Sequence, residues 1–142
     1  QDPAAEIRLD LAAKLGEIEA DRGRVRQLLA NLVSNAIHAV AGLAQGRVEI
    51  STRILGSPPS QVQLAISDNG PGFQEDLLQR AFEPYVTSKA RGMGLGLAIV
   101  KRIVEEHAGQ VEAENMSSGG ARIRVVLPLV AERRSESRRE RA

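Results

Sequence analysis

Residues 21–43 carry one long apolar periodicity, and any fold this chain adopts has to cover that stripe. On a helical wheel of about 100° per residue, Val25, Leu28, Leu29, Leu32, Val33, Ala36, Ile37 and Val40 fill one face. Asp21 is suited to cap such a helix, and Gly42 or Gly46 to stop it. Asn31, Asn35 and His38 fall together at the edge of the apolar face, in line with Gln27 and Arg24 one and two turns earlier. Asparagine is a poor helix former because its side chain competes for the backbone, so two on one stripe need a reason. One reading is a polar helix edge facing water. The other is that Asn35 offers an amide oxygen to a cation. Mg²⁺ typically takes one or two protein oxygens and fills its octahedron with phosphate oxygens and waters, so a single Asn suffices when a nucleotide brings the rest.

Around that helix the chain reads as strands. Ile7, Leu9 and Leu11 alternate with charged residues, which predicts a strand with one buried face, and residues 16–20 read as a second short extended piece. Residues 47–54 and 62–66 form an antiparallel pair joined through Gly56-Ser57-Pro58-Pro59. A short helix is predicted over 74–80, a longer one over 95–107, and two more strands over 111–115 and 121–129, parted by Gly119-Gly120. The irregular stretch between the two later helices is a candidate lid. From Glu132 to the end nearly every residue is Arg, Glu or Ser, a composition unable to bury enough apolar surface to order itself. The expected division is one domain over 1–130 and a charged, disordered tail over 131–142.

Bulk properties exclude more than they select. The 142 residues suit one domain. A net charge of +1, from 19 basic and 18 acidic residues, gives no reason to expect a nucleic-acid partner. Absent cysteine rules out disulfides and thiolate metal sites. No apolar run reaches the length of a membrane span, and the start lacks the pattern of a signal peptide. The expectation is a cytoplasmic domain excised from a longer protein, with an inner-membrane anchor elsewhere in the parent left open.

Two further elements carry chemistry. Asp68-Asn69-Gly70-Pro71-Gly72-Phe73 places an acid at the end of an apolar strand, followed by a glycine turn. Taken alone it reads as an Asx turn. It also suits an adenine site, with the acid accepting from an exocyclic amine and the glycines admitting a planar base to the backbone. Gly92-Met93-Gly94-Leu95-Gly96-Leu97 leads into a helix start, where backbone N–H groups and the helix dipole favour phosphate. It matches neither the Rossmann fingerprint nor a P-loop. Lys89 and Arg91 precede it as cations for a terminal phosphate or as solvated charges.

The series Asn31-Leu-Val-Ser-Asn35-Ala, Asp68-Asn-Gly-Pro-Gly72-Phe, Phe82-Glu-Pro-Tyr-Val-Thr-Ser-Lys89, Gly92-Met-Gly-Leu-Gly-Leu-Ala-Ile-Val100 and Gly119-Gly120 resembles, in order and spacing, the successive boxes of the histidine-kinase ATPase domain. The resemblance runs over residues 11–128, and the Glu83 to Lys89 run with residues 101–107 is similar to nitrogen-regulation sensor kinases of the NtrY and NtrB type. It implies an α/β two-layer sandwich, the Bergerat ATP-binding fold, with a mixed, mostly antiparallel sheet of about five strands and the helices on one face. It implies ATP and Mg²⁺ as cofactors. Asn35 is then the Mg²⁺ ligand with Asn31 beside it, and His38 touches phosphate. Asp68 reads the adenine amine, and Gly70 and Gly72 line the base pocket. Phe82 anchors the lid, Lys89 approaches the terminal phosphate, and Gly92, Gly94, Gly96 and Leu97 hold the phosphates. The family often has Thr after the paired glycines, where this chain has Ala121.

The same fold resembles ATP-driven clamps and anti-sigma serine kinases, which usually carry Glu where this chain has Asn31. An amide is no general base, which favours a histidine acceptor over activated water. A module that binds nucleotide without catalysis is the third alternative. Neither His38 nor His107 suits a phosphoacceptor. His107 ends a helix, where a capping role is simpler. The acceptor is expected on an upstream dimerisation domain, the partner being a response regulator, the parent a homodimer and the fragment a monomer.

Overall fold

A computed structural model describes residues 5–86 and 95–130. In order come β1 (Glu6–Asp10), α1 (Arg22–Val40), β2 (Arg47–Leu55), β3 (Gln61–Asp68), α2 (Glu75–Leu78), α3 (Gly96–Glu106), β4 (Gln110–Asn115) and β5 (Ala121–Pro128). The strands form one sheet in the order β1-β2-β3-β5-β4. Only β1 and β2 run parallel, with Ile7 opposite Val48 and Leu9 opposite Ile50. The other three pairs are antiparallel, so the mixed sheet has the expected character.

Strand parity sorts the two faces. Val48, Ile66, Ile123 and Val125 point to the side where α1 and α3 pack, and with Leu28, Leu32, Ala36, Val100, Ile103 and Val104 they make the core. The other face is polar, with cross-strand pairs Arg122–Glu114 and Arg124–Glu112. With one covered face and one wet face, the strands alternate as antiparallel sheets of this kind do.

Asp21 caps α1 as expected, its Oδ1 accepting from the Arg24 N–H at 3.0 Å. The helix stops at Val40 rather than near 43, because Ala41 turns to an extended ψ of 132° and Gly42 follows at φ 81°. Residues 16–20 form no strand. Their recorded main-chain link is Val130 N–H to Glu17 O at 2.7 Å, which leaves no ladder to join. The helix expected over 74–80 shrinks to the single turn of α2.

Two expectations about burial are corrected. β1 has no buried face: Ile7 is 49% and Leu9 63% exposed, since β1 is the edge strand and the helices sit over its neighbours. Leu29 and Ile37, counted as core on the wheel, are 38% and 41% exposed, whereas Asn35 is 8% exposed. α3 packs along the asparagine edge of α1, so the buried sector rotates toward Asn35 and away from the Leu29 flank. This assignment is testable by urea unfolding: Leu32→Ala, at a fully buried position, should destabilise by about 3 kcal/mol, and Leu29→Ala by less than about 1 kcal/mol.

Candidate functional site

The site is built where α1 meets its neighbours, and three polar contacts set its frame. At the base, the Arg24 guanidinium grips Glu106 at the end of α3 with two bonds, 2.7 and 3.1 Å. His107 caps α3, its Nδ1 bonded to Ile103 O at 2.7 Å, and its Nε2 lies 3.4 Å from the Asp21 N–H. This matches the capping role expected for it. One turn further along α1, Gln27 supports Arg24, Nη1 to Oε1, at 3.0 Å. Arg24, steadied by Gln27, therefore fastens α1 to α3, a role the wheel alone did not disclose.

The rest of the polar stripe faces the motifs. Asn31 Nδ2 donates to Gly96 O at 3.4 Å, tying α1 to the first residue of α3. Asn35 follows one turn on, nearly buried, with no hydrogen-bond partner for its amide among the described residues. His38 is exposed, and its Nδ1 bonds back to Ser34 O at 2.7 Å, leaving Nε2 as the second ring nitrogen. At Ala39 the helix backbone meets the Asp68 loop so closely that a Cβ on Gly70 would overlap the Ala39 carbonyl.

Asp68 ends β3 at 5% exposure. Its Oδ1 accepts from the Gly70 N–H at 3.0 Å and from the Ala121 N–H at 3.4 Å. The second bond comes from backbone, so it does not depend on which side chain stands at position 121. Gly120, at φ 86°, presses on the same residue, and a Cβ there would overlap the Asp68 carbonyl. Glycine is required at this point for both conformation and space. Asn69 fastens the start of the loop, its Oδ1 accepting from the Arg47 N–H at 2.7 Å and its Nδ2 donating to Gln45 O at 2.8 Å.

α3 begins after Leu95 with no side-chain cap and no acid in its first turn, so the positive end of its dipole is uncompensated by side chains. Leu97 is a core residue at 8% exposure, so only its backbone is available to a ligand. Phe82 is half-buried and packs against the core beside buried Ala81, which suits an anchor for the chain that follows. Lys89, Gly92, Gly94 and the tail from 131 lie outside the described residues. Chemically, the assembly offers a buried carboxylate among glycines at one end, an uncapped helix start at the other, and amides on α1 between them.

Glu106 bears on pH. The Arg24 hydrogen bond, then the charges of Arg24, Arg102 and His107, hold its carboxyl below the ordinary glutamate range. A depressed folded value means that the pair's contribution is complete above the ordinary glutamate range and is lost as pH falls through the lowered value. Glu106→Gln should therefore lower stability slightly near neutrality and flatten its fall in acid. Urea midpoints between about pH 7 and about pH 3 read this directly; an unchanged acid limb would remove the pair from the account.

Residues 20–131 match the family described as histidine kinase-, DNA gyrase B-, and HSP90-like ATPase. The sensor histidine kinase ZraS of Salmonella typhimurium is 36% identical over 131 residues, covering 92% of this chain and 27% of that protein. A putative NtrY-like sensor histidine kinase of Rickettsia conorii is 38% identical over 109 residues, covering 77% of this chain and 18% of that protein, in line with the NtrY resemblance. The chain thus spans about a quarter or less of the length of these relatives. The catalytic domain of histidine kinase ThkA superposes with a TM-score of 0.74 at 30% identity, over 87% of this chain and 80% of that one. The order of boxes along the chain, the one-sided α/β sheet and these likenesses agree: the chain belongs to the histidine kinase-, DNA gyrase B- and HSP90-like ATPase family, as an ATPase domain of the sensor histidine kinase kind.

Proposed function

We propose that this domain holds Mg·ATP and presents its terminal phosphoryl group to a histidine on a helical dimerisation domain outside the chain. The observation that carries the nucleotide reading is Asp68, a carboxylate at 5% exposure hemmed in by Gly70 and Gly120, neither of which has room for a Cβ. A carboxylate held by backbone N–H groups is fixed in place, and the two glycines let the backbones of α1 and β5 close around it. Adenine is the base whose exocyclic amine would donate to it. The uncapped start of α3, with Gly92, Gly94, Gly96 and the backbone of Leu97, receives the phosphates.

Asn35 suits Mg²⁺ as a hard neutral oxygen donor. Among the described residues no group of three or more His, Asp or Glu is placed to hold a metal, and in the proposed site the ion would enter with the phosphates. When bound, the ion neutralises charge on the phosphoryl oxygens. His38 Nε2 and Lys89 would contact phosphate, and Phe82 would anchor the lid. In the transfer, a lone pair of the acceptor imidazole forms the P–N bond as the bond between phosphorus and the bridging oxygen of ADP breaks. Neutral imidazole needs no base to attack, consistent with an amide at Asn31.

The parent is proposed to be a homodimeric kinase with a response regulator downstream, this fragment being monomeric and acting in the cytoplasm with no nucleic-acid partner. Among the described residues no helix is long and apolar enough to cross a membrane. Two measurements test the reading. Asp68→Asn should weaken ADP by about 1.5 to 3 kcal/mol, tenfold or more, in calorimetry. The 142-residue chain should bind ATP with Mg²⁺ yet take up no radiolabel on its own histidines, and should label a phosphoacceptor domain supplied in trans. Unchanged ADP affinity would remove Asp68 from the site, and binding without transfer in trans would leave a nucleotide module and no kinase.

A further inference from the structure

The loop after Asp68 is fastened at its far end by a residue that none of the motifs contains. The Phe73 N–H donates to Asn115 Oδ1 at 2.8 Å, and Asn115 Nδ2 donates back to Phe73 O at 2.8 Å. A side-chain amide has the donor and acceptor spacing of a peptide group, so this pair imitates one rung of an antiparallel ladder. It does so where the sheet supplies no further strand, since Asn115 is the last residue of β4, the edge strand opposite β1. Gly72 is part of the same contact, because a Cβ there would come within 2.8 Å of Asn115 Oδ1. Directly after Asn115, the Met116 N–H donates to Gly120 O at 2.9 Å, closing the turn that carries Gly120 against Asp68.

We infer that Asn115 is a positioning residue for the nucleotide base: by gripping the Phe73 backbone it holds Gly72 and Phe73 at the separation from Asp68 that admits a planar ring. The inference rests on the adenine site proposed above. Both bonds lie at the solvent-exposed rim, where water competes and a hydrogen bond contributes little to global stability. Their effect falls instead on where the loop sits. Asparagine is a poor strand residue, so its place at the end of β4 is better accounted for by this grip than by the sheet.

Asn115→Asp keeps the volume and the acceptor for the Phe73 N–H, but turns a second acceptor toward Phe73 O. ADP titrations on the whole chain, at a temperature where every variant is folded, should show the dissociation constant rising about tenfold for Asn115→Asp and Asn115→Ala. Val111→Ala, on the same strand and packed against the core, lowers stability without touching the loop and should shift that constant less than about twofold. Amide exchange at Phe73 should quicken in the Asn115 variants alone. Equal shifts for Asn115→Asp and Val111→Ala would overturn the inference. So would parent-like ADP binding by Asn115→Asp beside a weakened Asp68→Asn, which leaves the adenine reading standing. A parent chain that binds no ADP would overturn both.

Discussion

The site depends on one close approach, the start of β5 pressed onto the end of β3. Gly120 lies against the Asp68 carbonyl with no room for a side chain, and the next residue, Ala121, reaches Asp68 Oδ1 with its N–H. Burying a carboxylate is costly unless fixed donors replace water, and here the donors are backbone groups set by strand register. Since β5 lies between β3 and β4, the same register decides where β4 ends and thus where Asn115 meets Phe73. Through the loop it decides where Gly70 meets Ala39 on α1. Sheet pairing, the carboxylate and the helix are one mechanical unit.

α1 is the wedge that joins this unit to α3. Its apolar sector supplies the stabilising burial, whereas the exposed Arg24–Glu106 ion pair contributes orientation more than energy. The polar stripe divides by position: Arg24 and Gln27 lock the far end of α3, Asn31 holds its first residue, and Asn35 and His38 come after that contact, level with the loop. The α3 start held by Asn31 has no side-chain cap. With no cap to fix it from within, that helix end is held from the side, and in the proposed function the phosphates would complete it.

Much of this was legible from local pattern. The cap at Asp21, the hairpin through Gly56 and Pro59, and the strands around Gly119-Gly120 came out within one to three residues, because periodicity and glycine punctuation act over short stretches. Exposure of Ile7, Leu9, Leu29 and Ile37 was not legible, since it follows from which strand is the edge and on which flank α3 lands. The Asx turn at Asp68 was readable, because its Oδ1 takes the Gly70 N–H only two residues on. Asn115 was not, because its meaning lies in a partner 42 residues away. The Ala121 N–H bond to Asp68 Oδ1 was not legible either, since it depends on β5 starting beside the end of β3.

Asn31 shows how one residue can answer a structural and a chemical demand together. Its amide N–H donates to Gly96 O at 3.4 Å, and a carboxylate at the same place would set acceptor against acceptor. The acid that clamp-type relatives carry there would therefore loosen α3 as arranged in this chain, so the amide is a fastening as well as the absence of a base. A reaction that activates water needs that base. The proposed transfer to a neutral imidazole needs placement of the phosphates, and the Asn31 contact, one turn from Asn35 and at the first residue of α3, would serve that placement.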